Sequence, residues 1–214
     1  MIMKLLKPRG YISQKFGLND VDYKLYGLKG HPGVDYAQGF NLPIQACADG
    51  KVYKIVNKDC KDLSGQRSVH QLVEDGDLVW ELSYLHLLNI YCGVGDYIVE
   101  GQSFATEGNT GACWTVKSGT VVPVSAEERI LGVGSHLHFS AKPCKRVSKI
   151  TKDDSMYLYT EKGDKYFDGH YYEIIYDNGL NGNIDPTPYF YTPTLIEWNS
   201  IYSKVVGNLI KTKK

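Results

Sequence analysis

Apolar residues recur at every second position through most of this chain, in short runs cut by Gly, Asn and Asp. Val52-Tyr53-Lys54-Ile55-Val56 follows the turn signal Ala48-Asp49-Gly50, and Leu78 to Leu88 repeats the pattern. Tyr97-Ile98-Val99 lies between Gly95-Asp96 and Glu100-Gly101, and Gly108-Asn109-Thr110-Gly111 reads as a further turn. Leu137 and Phe139 fall on one side of another strand. Successive side chains of a strand point to opposite faces, so a period of two buries one face and leaves the other to solvent or function. Repeated short strands with turn signals predict a mainly β chain, an antiparallel β-sheet sandwich or barrel-like core.

Three segments break this rhythm and read as loop insertions: about 59–77, 112–134 and 144–183. The first is polar. The third is charged and rich in Tyr, with room for a hairpin of Tyr157-Leu158-Tyr159 against Tyr171 to Ile175. Near the C-terminus the period changes. Leu195, Trp198, Ile201 with Tyr202, Val205 and Leu209 recur every three to four positions, which predicts an amphipathic helix. Thr194 and Glu197 form a candidate capping box after Pro193. The helix is expected to dock its apolar face on the same domain, binding of another protein being the alternative. The expected organisation is one domain over 1–190 and a helical extension over 191–214. A chain of 214 residues suits such a domain and buries a core without disulfides.

Composition narrows the chemistry. Lys and Arg total 24 and so do Asp and Glu, so the net charge of zero leaves no electrostatic footprint for nucleic acid or an anionic membrane. Lys4, Lys7 and Pro8 break the first apolar run well short of the roughly 7–15 residues of a signal h-region. No stretch approaches the ~20 apolar residues of a membrane span. The expectation is a product made in the cytoplasm with no Sec route of its own. Cys47, Cys60, Cys92, Cys113 and Cys144 form no C-x-x-C pair, so thiolate zinc is disfavoured and reduced thiols are expected. One bridge, such as Cys113 with Cys144, stays open. The 17 Tyr suit half-exposed β positions, and also sugar or peptide surfaces.

Four of the six His fall in three short motifs: His31-Pro-Gly-Val-Asp35, Tyr84-Leu-His86-Leu87 and Ser135-His136-Leu-His138-Phe139. Pro32 and Gly33 exclude a regular helix, and in extended chain positions i and i+4 share a face, so His31 and Asp35 can grip one ion. His136 and His138 likewise share one side of a strand. Two His and one Asp make three ligands of zinc-compatible type and leave a fourth position for water, the catalytic pattern. Two further imidazoles then remain to handle protons. His70, in the first expected loop, and His170, in the third, read as structural or solvated.

Taken in order, these motifs resemble a known family. Ile12-Ser-Gln-Lys-Phe-Gly17, His31-Pro-Gly-Val-Asp-Tyr-Ala37, Leu42 to Val52, Tyr84-Leu-His-Leu87, Gly95 to Gln102, Gly108-Asn-Thr-Gly111, Gly134-Ser-His-Leu-His-Phe139 and Asp185-Pro-Thr-Pro-Tyr189 resemble the lysostaphin-type, or LytM-like, zinc metallopeptidases. The resemblance covers residues 12–143 and 184–190 and leaves out the insertions. It implies that His31, Asp35 and His138 bind Zn2+, and that His86 and His136 are the two non-ligand histidines of the catalytic centre, either of them the base. Tyr26 resembles a position where some members carry a Tyr beside the oxyanion, with packing as the competing role. The implied function is a peptidoglycan endopeptidase acting on wall peptides. Combined with the expected lack of a signal segment, it implies a phage-encoded enzyme, either virion- and tail-associated or an endolysin released at lysis. The C-terminal helix would then contact other virion proteins. A virion structural or wall-binding assembly protein on the same fold is the alternative.

Overall fold

The period-two pattern becomes one large antiparallel sheet closed on its inner face by a small one. The computed structural model describes residues 3–58 and 66–211. The first strands are β1 (Leu5–Leu6), β2 (Tyr11–Gln14), β3 (Val34–Ala37), β4 (Pro43–Gln45), β5 (Gly50–Asn57), β6 (Arg67–Asp75), β7 (Leu78–Leu85) and β8 (Leu87–Ile90). They are followed by β9 (Tyr97–Ile98), β10 (Ser103–Glu107), β11 (Trp114–Lys117), β12 (Thr120–Pro123), helix α1 (Ala126–Ile130) and β13 (Leu137–Val147). The chain continues with β14 (Tyr166–Phe167), β15 (His170–Ile174), β16 (Phe190–Tyr191) and helix α2 (Leu195–Lys211). The main sheet runs β14-β15-β13-β7-β6-β5-β9, with β3 also on β13 and β2 on β3.

The 11 residues of β13 make it the axis of the fold. Along one edge it pairs with β7. The other edge is divided, with β3 against Leu137–Phe139 and β15 against Cys144–Val147. Alternation then sorts the side chains. Leu137, Phe139 and Ala141 of β13 and Trp80, Leu82 and Tyr84 of β7 enter the main core with Val34, Tyr36, Val52 and Val69. The three-stranded sheet β4-β10-β8 closes that core with Ile44, Phe104, Ala105 and Leu87. Each such large apolar side chain contributes about 1.5–3 kcal/mol on burial. The intervening residues His138, Ser140, Lys142, Glu81 and Ser83 are buried too, yet polar, and they face the opposite side. A buried polar row costs stability unless it is satisfied, so it marks where function sits.

Two boundaries differ from the sequence expectation. The polar stretch 59–77 is not a loop throughout, because Arg67–Asp75 forms β6, a central strand between β5 and β7. Its period was masked by Ser68 and Gln71, polar side chains that are nonetheless buried. Residues 59–65 of that expected loop, with Cys60, lie outside the described residues. The run Leu78 to Leu88 splits at His86, whose φ of 64° ends β7. Beyond Val147 the third insertion folds back onto the sheet. Tyr157 bridges Glu173 as the expected hairpin requires, while Tyr171 pairs with Tyr166 on one side and Val147 on the other. Tyr157's neighbours Leu158, Tyr172 and Ile174 form a second small core with Tyr53, Leu72, Val79 and Cys144. Residues 112–134 hold the β11–β12 hairpin and α1, which starts in a Ser125–Glu128 capping box.

The C-terminal helix forms as its period demands. Thr194 Oγ1 accepts from Glu197 N at 3.4 Å while Glu197 Oε2 accepts from Thr194 N at 2.7 Å, the reciprocal cap. Ile201 is buried over Gly101, and Asn208 donates to Tyr97 O at 3.1 Å and Gln102 Oε1 at 2.8 Å. The docked stripe is narrower than expected, since Leu195, Ile196 and Tyr202 stay exposed. Cys47, Cys92, Cys113 and Cys144 are thiols, so no bridge joins Cys113 to Cys144. Among the described residues, no helix is long and apolar enough to cross a membrane.

Candidate metal centre

Strand register brings the His31–Asp35 segment and the HLH strand together. Asp35 on β3 lies directly opposite His138 on β13, and His138 lies opposite Leu85 on β7, the residue before His86. Facing residues of an antiparallel pair stand about 4.5–5.5 Å apart at Cα, within side-chain reach. His31 arrives from the turn before β3, pinned by backbone bonds from its N to Leu18 O at 2.8 Å and from Gly17 N to its O at 2.9 Å.

Three donor atoms close a small triangle. His31 Nε2 is 2.8 Å from His138 Nδ1 and 3.1 Å from Asp35 Oδ1, and His138 Nδ1 is 3.0 Å from the same oxygen. All three residues are buried. Ligands about 2.0–2.2 Å from a tetrahedral zinc ion stand about 3.3–3.5 Å from one another, so this triangle is close to the size such an ion requires. The second nitrogen of His31 supports the assignment. Its Nδ1 sits 3.1 Å from Lys15 O, a contact satisfied when Nδ1–H donates, which leaves the Nε2 lone pair pointing inward. Two nitrogens and a carboxylate oxygen aimed at one point are a donor set for a borderline transition ion.

Two further imidazoles stand beside the triangle. The His86 ring lies 4.5 Å from that of His136 and 6.0 Å from that of His138. Each is anchored through Nδ1 on a backbone carbonyl, His86 on Thr110 O at 2.6 Å and His136 on Gly134 O at 2.7 Å. Each therefore keeps Nε2 on its open edge, and His136 Nε2 is 3.7 Å from Asp35 Oδ2. Burial alone would raise the Asp35 carboxyl, but His136 and hydrogen bonds from His138 and His31 outweigh it and hold it well below its usual range. Burial, with His136 and His138 alongside, pushes His86 well below an ordinary imidazole. Cys113 Sγ lies 3.6 Å from His86 Nδ1, so His86, Cys113 and His136 form a second group of metal-type atoms that shares both of these histidines.

Small residues fix this geometry. A Cβ on Gly33 would stand 2.5 Å from Phe139 O and 2.6 Å from His138 Nε2. Gly33→Ala is therefore expected to displace His138 and weaken divalent-ion affinity roughly ten- to a hundredfold. A competition titration with a chromogenic chelator, beside an unchanged far-UV spectrum, checks this. Of the two tyrosines in the turn Tyr23–Tyr26, the resemblance touched Tyr26, with packing as the competing role, and Tyr26 is 51% exposed and packs edge-on against Trp114. Tyr23, which it passed over, has its ring 5.5 Å from that of His31. Burial and then the Asp35 charge push its phenol up. His70 is structural, as expected, but it lies on β6 with both ring nitrogens bonded, to Ser68 Oγ at 3.0 Å and Ser83 Oγ at 2.8 Å. His170 is exposed on β15.

The family pattern described as Peptidase family M23 matches residues 29–149, which span the triangle and both flanking histidines. The chain belongs to peptidase family M23. Lysostaphin of Staphylococcus simulans is 32% identical to this M23 chain over 87 residues, 40% of the chain and 17% of that protein. The chain thus aligns with less than a fifth of the length of this relative. Among solved structures, LytU has a TM-score of 0.48 at 22% identity, covering 85% of this chain and 84% of its own. The catalytic domain of S. simulans lysostaphin has a TM-score of 0.44 at 18% identity, covering 86% and 91%. The M23 match ends at residue 149, so residues 150–183 lie outside it.

Proposed function

We propose that this chain is a zinc-dependent endopeptidase that hydrolyses peptide bonds of bacterial cell-wall peptidoglycan. The observation that carries it is the donor triangle of His31 Nε2, Asp35 Oδ1 and His138 Nδ1, with edges of 2.8, 3.0 and 3.1 Å, flanked by two anchored imidazoles. Membership of M23 supports the peptidase chemistry. Similarity to lysostaphin supports the wall substrate.

In this proposal the three atoms of the triangle hold Zn2+. Bound there, zinc polarises the scissile carbonyl and lowers the pKa of the attacking water towards about 7. The chain's own residues do the rest. Lys15 O holds His31 in the tautomer that offers Nε2. Thr110 O and Gly134 O do the same for His86 and His136, so both present an unblocked Nε2 to reacting groups. One of them takes the proton released as water adds to the carbonyl. The imidazolium so formed returns that proton to the nitrogen of the breaking C–N bond, and the enzyme ends as it began. Asp35 turns Oδ1 towards the other two ligands and Oδ2 towards His136 Nε2, 3.7 Å away, which orients that ring beside the metal centre.

The test uses purified full chain on intact sacculi. Zinc-loaded protein is expected to clear them, a chelator to stop clearance and stoichiometric zinc to restore it. Undigested sacculi beside a lysostaphin control that digests them would overturn the proposal. The phage setting, virion-borne or released at lysis, is a proposal on the resemblance alone, and mass spectrometry of purified particles tests it.

A further inference from the structure

The face of the main sheet that carries His138 does not end at the metal centre. Cross-strand register places Ser140 beside Ser83 and Lys142 beside Glu81, then His70 beside Ser83 and Lys54 beside His70. These side chains line a cavity of about 160 Å³ that opens from His138 and Pro32 at one end. Residues of the third insertion, Tyr157, Leu158, Tyr159 and Asn183 among them, wall the other end. Lys142 lies four residues along β13 from His138, about 13 Å at the usual rise per strand residue, the reach of three or four residues of extended peptide.

Charge in this cavity does not balance. Glu81 is satisfied: its Oε1 accepts from Tyr53 OH and lies 3.3 Å from His70 Nδ1, and its Oε2 lies 2.9 Å from Lys142 Nζ. Burial pushes His70 down, so it stands neutral. That leaves two lysines against one carboxylate among the lining groups. Lys54, half-buried, makes no close ion pair among the described residues, though the Glu81 and Glu161 charges act on it, and it lies with Nζ 3.8 Å over the Tyr159 ring. Lys142 is 8% exposed, with Nζ 2.9 Å from Glu81 Oε2, and its ammonium carries three N–H donors, more than that one carboxylate oxygen takes up. Ser140 and Asn183, both 5% exposed, line the cavity with side chains that bond to no described residue. These groups face the cavity and offer charge-assisted and neutral hydrogen bonds to an incoming acceptor.

We infer that this cavity is a substrate subsite that takes a carboxylate of the peptide three or four residues from the scissile bond, bound by Lys54 and Lys142 with Ser140 and Asn183 alongside. The inference rests on the proposed peptidase function and adds to it the class of peptide preferred, one with a free carboxylate on that arm. A C-terminal carboxylate and an acidic or diamino-acid α-carboxylate share this chemistry. An ammonium group or a carboxamide does not. Lys54, Ser140 and Lys142 lie within the M23 match of residues 29–149, whereas Tyr157, Leu158, Tyr159 and Asn183 lie beyond it, so the match covers only part of the subsite.

The probe is a fluorescein-labelled synthetic stem peptide of alternating L and D residues in four forms. These are the C-terminal acid and its amide, and the acidic side chain and its carboxamide. Binding is measured by fluorescence polarisation on the metal-free full chain, and kcat/KM on the zinc-loaded chain. One acid form is expected to bind roughly ten- to a hundredfold more tightly than its amide partner, the margin of a charge-assisted pair, and which form does so identifies the source. Lys54→Met is expected to shrink that margin to within about twofold, and Lys54→Arg to keep most of it, as a charge contact requires. Equal binding of acid and amide by the natural chain, or a margin untouched in Lys54→Met, overturns the subsite. An intact Lys54-dependent margin with no hydrolysis of any form upholds the subsite and removes the peptidase proposal instead.

Discussion

His138→Ala is expected to abolish peptide hydrolysis, a loss of at least about 10⁴-fold, and to bring bound zinc from one equivalent to near none. The reason is geometric. His138 Nδ1 supplies two of the three edges of the donor triangle, 2.8 Å to His31 Nε2 and 3.0 Å to Asp35 Oδ1. Without it a histidine and a carboxylate remain, one ligand short of the three that a catalytic zinc site uses. The fold should survive, because β13 is held by Leu137, Phe139 and Ala141 in the main core, and His138 faces the other way. Three measurements on one preparation separate the cases: metal content by atomic emission, clearance of sacculi and thermal melting. Hydrolysis at the natural rate with zinc still bound would remove the triangle from the mechanism. A collapsed melting curve would instead show that this imidazole holds the sheet together.

Much of this arrangement is legible in the sequence alone. Pro32 and Gly33 forced the first motif out of a helix, and the period of two put His136 and His138 on one side of a strand. The convergence of chain segments more than a hundred positions apart is long-range pairing that no local pattern states. It followed only from the resemblance, and the β3–β13 register agrees with it. The strand content was readable wherever one face was apolar. It failed at β6, where Ser68, His70 and Gln71 interrupt the alternation. Those polar residues find side-chain and backbone partners, Gln71 donating to Ala48 O at 2.8 Å and accepting from Tyr84 OH at 3.2 Å, and Ser68 meeting His70 at 3.0 Å. A sequence window cannot see such partners, so polarity read as exposure.

Tyr23 and Tyr26 show the same limit on a smaller scale. They sit three residues apart in one turn, Tyr23–Tyr26, and which faces His31 depends on how Asp22 and Gly27 close it. Gly27 does so at a φ of 70°, open to glycine without strain. The charged row on the outer face of the sheet was illegible for another reason. Glu81 and Lys142 are 61 positions apart in sequence and carry no motif, and each alone reads as an ordinary surface charge.

That buried pair carries the largest stability prediction. Glu81 and Lys142 are 4% and 8% exposed, with Nζ and Oε2 2.9 Å apart. Lys142→Met leaves the carboxylate buried with its cation gone, which is expected to cost about 3–5 kcal/mol and lower Tm by roughly 6–20 °C. The double variant Glu81→Gln/Lys142→Met removes both charges and should recover more than half of that loss. Recovery would separate the penalty of an orphaned charge from lost packing. The pH dependence gives an independent sign. Burial alone would raise Glu81, but Lys142, with His70 and Tyr53, holds it well below its ordinary 4.5. Burial alone would lower Lys142, yet Glu81 holds it above its ordinary 10.5. A depressed carboxylate stabilises above its unfolded value and loses that contribution as pH falls through its folded value. A raised lysine stabilises below its unfolded value and loses that contribution only in strong base. At neutral pH both are in place. Removing Lys142 shifts Glu81 upward, so acid relieves the variant while it weakens the natural chain. The stability gap between them, from urea unfolding at pH 7 and pH 4, should therefore narrow on acidification. A gap that stays constant across that range would mean that the Glu81–Lys142 charge pair contributes nothing to stability.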